Sequence, residues 1–187
     1  MGFDLYGLKP ATADNGKYFR ESVWGWRPLW ELVCNVSADI LTPKDCEMGS
    51  YNDSHKIIKS KAMKIATRLE KHLESGFIDK YIEDRDTEID SMPLEECDLC
   101  NGTGWRRRPP VRGRGDTVAL REWAFTEEIA EKELINAPIP EGIDCMLCNA
   151  CQGKGETSSF STHYHLSKES VKEFVEFCKF SGGFSIC

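Results

Sequence analysis

Cys97-Asp98-Leu99-Cys100-Asn101-Gly102-Thr103-Gly104 returns later in the chain as Cys148-Asn149-Ala150-Cys151-Gln152-Gly153-Lys154-Gly155. Both copies read CxxCxGxG, and together they supply two close pairs of thiols. Zinc prefers four soft or borderline donors in a tetrahedron, and cysteine thiolates are favoured in structural sites. Two residues between paired cysteines let both sulfurs reach one ion from a tight turn. A chain wrapping a metal turns sharply after the second cysteine, and glycine adopts positive φ there without steric cost. Because the glycines keep the same phase in both copies, the repeat predicts one Zn2+ held by Cys97, Cys100, Cys148 and Cys151.

Residues 101–147 separate the two pairs. Closing such a loop costs about 3 kcal/mol plus a constant. Structural zinc contributes roughly 10–16 kcal/mol, so the metal outweighs the loop. Cys145-Met-Leu-Cys148 is also a CxxC, so the second pair could be Cys145 with Cys148; the glycine phase favours Cys148 with Cys151 and leaves Cys145 a spare thiol or an extra or exchanging ligand.

The repeat resembles the cysteine-rich zinc region of DnaJ-type cochaperones. Carried over residue by residue, the resemblance implies the ligand role of the four cysteines. Those cochaperones carry four repeats and two zincs, whereas this chain has two repeats and no His-Pro-Asp tripeptide. The J-domain is therefore absent, and chaperone activity is not implied.

At 187 residues with 40% hydrophobic content and five Trp, the chain can bury a core as one domain, with the zinc region as its subdomain. Net charge is −7, which disfavours global attraction to nucleic acid and leaves only local basic patches for that role. No apolar run approaches a membrane span, and the start lacks a basic stretch before an apolar one, so neither a membrane partner nor a secretion signal is expected. Nine Cys without such a signal point to a reducing compartment, hence the cytoplasm. Cys34, Cys46, Cys178 and Cys187 lack ligand spacing, and Cys34 and Cys178 read as small buried hydrophobes.

Outward from the repeat, Phe3 to Leu8 alternates as a strand. Phe19 to Asn35 reads as a helix in which Pro28 opens the main part or kinks it. Its three Trp read as core, with a base-stacking platform or a partner hot spot as the alternative. A long helix is expected from Asp53 or Ser54 to Ser75, its outer face basic, followed by an acidic helix from Phe77 towards Pro93. The basic face reads as solvated rather than phosphate-binding, and the acids as its complement rather than a docking patch.

Beyond the first CxxC lies an Arg-rich loop with Arg106, Arg107, Arg108, Arg112 and Arg114. It suits phosphate and base contacts, or docking on an acidic protein surface, or neither. Thr126 to Leu134 reads as a short helix. Phe160 to Leu166 reads as a strand whose His163 and His165 face solvent, a His-x-His metal pair being the alternative. Ser167 caps a helix with Val171, Phe174, Val175 and Cys178 inside, and Phe184 to Cys187 ends as a strand.

The fold class expected is α+β. A small antiparallel sheet packs with three to four helices (residues 1–92 and 156–187), and a treble- or ribbon-like zinc-knuckle subdomain with the basic loop is inserted (residues 93–155). The opening Gly2-Phe-Asp-Leu-Tyr6, the Trp26-Arg-Pro-Leu-Trp30 stretch and the closing Ser181-Gly-Gly-Phe-Ser-Ile-Cys187 resemble small uncharacterised proteins of phages and bacteria. That resemblance implies a phage or mobile-element protein acting in a bacterial host cytoplasm and brings no activity with it; in a phage, a binding protein would be of host-takeover or anti-defence type.

No phosphate loop, nucleophile elbow, HExxH or zinc-deaminase signature occurs, so the expectation is not an enzyme and no small-molecule substrate. A four-thiol site is closed, whereas catalytic zinc keeps an open position. The function expected is binding of a host protein or nucleoprotein complex. The alternatives are direct nucleic-acid binding through the Arg-rich loop, and thiol-redox or cochaperone-like chemistry at CxxC.

Overall fold

The computed structural model describes residues 2–11, 16–107 and 145–187, with the side chains of residues 107, 145 and 146 outside that description. It divides into two units, Met1–Ser91 with Ser161–Cys187, and Met92–Phe160. The expected helix at Thr126 to Leu134 lies outside the described residues.

In chain order the first unit contains β1 (Gly2–Gly7), β2 (Tyr18–Ser22), α1 (Val23–Val36), α2 (Pro43–Met48), β3 (His55–Ile58), α3 (Lys59–Glu74) and α4 (Phe77–Asp90). The second unit follows with β4 (Glu95–Glu96), β5 (Trp105–Arg107), β6 (Cys145–Leu147) and β7 (Glu156–Thr157). The chain then returns to the first unit for α5 (Lys168–Phe180) and β8 (Gly183–Ile186). The class is α+β.

The first unit is built on a four-stranded sheet in the order β2-β1-β8-β3, antiparallel throughout. Alternation sets its faces. Phe3, Leu5, Phe19, Ile57, Phe184 and Ile186 are buried on one side, while Tyr6 and Tyr18 are exposed on the other. The buried stripes are Trp26, Leu29, Trp30 and Val33 of α1, Ala62, Ile65, Ala66 and Leu69 of α3, and Val171, Phe174, Val175 and Cys178 of α5. They form one cluster with the sheet residues. Phe174 lies at its centre, with its ring 5.5 Å from Phe19 and 5.8 Å from both Trp26 and Phe184. Each fully buried side chain of this kind contributes about 1.5–3 kcal/mol.

Two indoles dock α2. Trp26 Nε1–H donates to the Gly49 carbonyl and Trp30 Nε1–H to the Cys46 carbonyl, both at 2.9 Å. These two Trp are core; Trp24 is part-exposed against the rings of His163 and Tyr164.

Three expectations need correcting. The helix expected from Phe19 starts at Val23, because Tyr18–Ser22 pairs with β1 and buries Phe19; Ser22 then caps α1 by accepting from the Gly25 N–H at 3.1 Å. Pro28 lies inside that helix rather than opening it. The helix expected from Asp53 or Ser54 starts at Lys59, because His55–Ile58 pairs with β8. Ladder bonds and burial of Ile57 override the helical period there, and Ile58 is left exposed. The strand expected over Phe160 to Leu166 is a 3-10 turn over Phe160–His163. The Arg85 guanidinium, donating to the Tyr164 carbonyl, and the Trp24 ring, tilted against that of Tyr164, hold that segment instead.

Candidate metal centre

The second unit carries a local twofold repetition. β4 leads into the Cys97 turn, which leaves through β5. β6 leads into the Cys148 turn, which leaves through β7. The strand entering one turn pairs with the strand leaving the other, β4 with β7 and β5 with β6. The Cys97 N–H donates to the Gly155 carbonyl and the Cys148 N–H to the Gly104 carbonyl, each at 2.8 Å.

Within each turn the backbone follows the same path. Asn101 and Gln152 have φ of 48° and 53°, Gly102 and Gly153 of 71° and 80°, and Gly104 and Gly155 of 76° and 79°. The last pair has a second constraint. A Cβ on Gly104 would fall 2.3 Å from the Gly153 carbonyl oxygen, and one on Gly155 would fall 2.3 Å from that of Gly102. Close approach of the two turns therefore requires glycine at both positions.

This path brings Cys97, Cys100, Cys148 and Cys151 together, all buried, with their sulfurs within 4.8 Å of one another. Cys97 and Cys148 are 3.7 Å apart, as are Cys100 and Cys151. Those separations are far beyond a bonded disulfide, about 2.05 Å, and all four thiols are free. Backbone N–H groups of Gly104 and Gly155 donate to Cys100 Sγ and Cys151 Sγ, both at 3.3 Å. Burial raises the Cys100 thiol to about 12 and also raises Cys151. Burial opposes ionisation of Cys148 as well, but the N–H groups of Cys151 and Ala150 and the neighbouring thiols bring it down to about 7. Four buried sulfurs with inward N–H donors are a donor set for a metal ion that favours thiolate.

Cys145 has its backbone in β6, and its side chain lies outside those described. Arg106 in β5 donates to Asn149 Oδ1 at 2.7 Å, which ties the first turn's exit to the second CxxC. The Arg107 side chain, Arg108, Arg112 and Arg114 lie outside the description. Of the other cysteines, Cys178 is fully buried, with its thiol pushed well above its ordinary value by that burial. Cys34 is also raised, first by burial and then by Cys46 beside it. Cys187 faces Ser54 Oγ at 3.4 Å.

The sequence reading passed over the left-handed residues Asn101 and Gln152 and the Arg106–Asn149 link. The first had a signal, since both follow the second cysteine at the same offset. The second had none, because residues 107–148 intervene.

No helix among the described residues is long and apolar enough to cross a membrane. No protein-family model matches the chain, and neither does any curated protein or any solved structure.

Proposed function

We propose that this chain is a non-enzymatic, zinc-stabilised binding protein whose two CxxCxGxG turns form a closed knuckle pair around one Zn2+. One observation carries the reading. Zinc–sulfur bonds of about 2.3 Å imply tetrahedral sulfur–sulfur edges of about 3.8 Å, and the Cys97–Cys148 and Cys100–Cys151 separations are both 3.7 Å. Four thiolates leave no position for water or substrate, which is the mark of a structural rather than a catalytic site. The partner is a host protein or nucleoprotein complex; the resemblance of the chain ends to small phage and bacterial proteins supports a bacterial setting.

Zinc absorption spectroscopy tests the closed site. Four sulfurs at about 2.3 Å and no oxygen are expected; a first shell containing oxygen overturns it. Cys97→Ser should lose the stoichiometric zinc seen by native mass spectrometry, whereas Cys145→Ser should retain it. Affinity capture from bacterial lysate should then yield a stoichiometric macromolecular partner, and turnover of a small substrate by the zinc-loaded protein would refute the non-enzymatic assignment.

A further inference from the structure

The sheet of the first unit has two edges. β3 runs directly into α3, whereas β2 lies along a groove of about 410 Å³ between itself and α5. The ladder register tells which backbone groups of β2 face that groove. The Gly7 N–H donates to the Lys17 carbonyl at 3.0 Å, and the pairing continues as Tyr6↔Tyr18, Leu5↔Phe19 and Asp4↔Arg20. Bonded and non-bonded pairs alternate in an antiparallel ladder. Lys17, Phe19 and Glu21 therefore bond to β1, and Tyr18, Arg20 and Ser22 turn their N–H and C=O groups outward. Ser22 shows the outward direction, since its N–H takes Glu21 Oε1 at 2.8 Å. Among the described residues, β2 pairs only with β1.

The groove beside this edge has a floor of Phe19 and Phe177. Its lining is mixed in charge, with Glu173 and Glu176 beside Lys172 and Arg20. Glu169 stands one turn earlier on the same flank of α5. Lys172 meets Glu169 at 3.8 Å and Lys179 is shared by Glu70 and Glu176, which leaves Glu173 as the acid of this wall without an ion pair among the described residues. Arg20 is drawn towards Asp4 on the outer face at 3.6 Å. At the Ser22 end the groove is closed by Ser170 Oγ donating to Glu21 Oε2 at 2.7 Å; at the other end it reaches Gly16.

We propose that the outer edge of β2 accepts an extended, basic segment of a partner protein as an added strand, with side chains alternating between the Phe19–Phe177 floor and solvent. Outward N–H and C=O groups at alternate residues match only an extended chain. Glu173, the unpaired acid on the α5 wall, selects Lys or Arg on that chain. The span from Gly16 to Ser22 fits a segment of roughly six residues at 3.3 Å each. The inference rests on the reading of the chain as a binding protein, and it names the surface and the chemistry of what binds.

The test uses the full-length, metal-loaded protein and a labelled synthetic hexapeptide of alternating lysine and valine. Saturable binding is expected, with amide shifts confined to residues 16–22 and the facing flank of α5. Arg20→Pro removes one outward N–H that makes no ladder bond, a placement that edge strands tolerate. It should weaken binding about tenfold, whereas Arg20→Ala should not. Glu173→Lys should weaken it by a similar factor. If Arg20→Pro does not fold, a probe N-methylated on the amides facing β2 makes the same test against the unaltered protein. Undiminished binding by Arg20→Pro or by the methylated probe overturns strand addition. Equal affinity for a glutamate–valine probe overturns the basic partner. A concentration-dependent dimer abolished by Arg20→Pro puts a second copy on this edge and overturns the assignment to a different protein. If the chain holds one zinc and captures a stoichiometric partner yet ignores these peptides, the edge assignment fails alone; if it holds no zinc, the closed-clasp reading fails instead.

Discussion

At the scale of single residues, the metal centre depends on two glycines as much as on four cysteines. Gly104 and Gly155 each combine a left-handed φ with a Cβ position 2.3 Å from a backbone oxygen of the opposite turn. A left-handed L-residue costs about 1–2 kcal/mol, and the clash adds to it because a backbone carbonyl cannot rotate away. Gly104→Ala and Gly155→Ala should each weaken zinc retention at least about tenfold, which is 1.4 kcal/mol, in competition with a chromophoric chelator. Retention equal to the unaltered protein would mean that the two turns do not approach as described. The gathering of the four thiols was legible in the sequence because CxxCxGxG writes both the cysteines and the turn geometry into eight consecutive positions. The crossing of the turns was not, since the Cys97–Gly155 and Cys148–Gly104 bonds join backbone atoms that any residue type would supply.

At the scale of elements, α2 is fixed from both sides. Thr42 and Asp45 form a reciprocal capping box, and Asp45 also meets His55 Nε2 at 3.0 Å and Lys61 Nζ. One nearly buried carboxylate thus joins α2, β3 and α3. Burial alone would raise its pKa, but the Lys61, Thr42 and His55 hydrogen bonds outweigh it and hold the carboxyl well below its usual range. A depressed folded-state pKa stabilises the fold above the unfolded-state value, near 3.9, and that contribution is lost as pH falls through and below it. Asp45→Asn should cost about 1–3 kcal/mol at neutral pH and flatten the fall of the urea midpoint between about pH 5 and about pH 2. An unchanged acid slope would assign that slope to other carboxylates. On the far side, a Cβ on Gly49 would fall 2.2 Å from the Trp30 ring, so Gly49→Ala should overpack the joint by about 1–3 kcal/mol, read as a lowered denaturant midpoint with an unchanged slope. These tertiary links also explain which elements the sequence disclosed. The α5 stripe follows the helical period within one segment and was legible. β2 and β3 were absorbed into neighbouring helices, because five and four residues carry too little alternation to compete with the helical periods that follow them. What makes them strands is β1 and β8, the latter at the opposite end of the chain.

At the scale of the whole molecule, the two units differ in what can hold them together. The first has a continuous apolar cluster drawn from α1, α3, α5 and the four-stranded sheet. The second has, among its described residues, a buried cluster made of Cys97, Cys100, Cys148 and Cys151 themselves, with two-residue and three-residue ladders around it. With so little apolar burial among these described residues, the paired turns need a metal or another staple to outweigh their chain entropy. Binding of the proposed zinc, worth roughly 10–16 kcal/mol, would be enough to hold them. Chelation should therefore abolish amide protection in β4, β5, β6 and β7 and at the Cys97 and Cys148 amides, while the protected amides of α1, α3, α5, β1 and β8 keep their exchange rates. Hydrogen exchange read by mass spectrometry, with and without chelator, resolves the two sets, and readdition of one equivalent of Zn2+ should restore the first. Protection lost in both units together would mean that the metal supports the sheet domain as well. Protection kept in both would mean that hydrogen bonds and thiol packing hold the turns without an ion, and that the 3.7 Å sulfur spacing has a cause other than zinc.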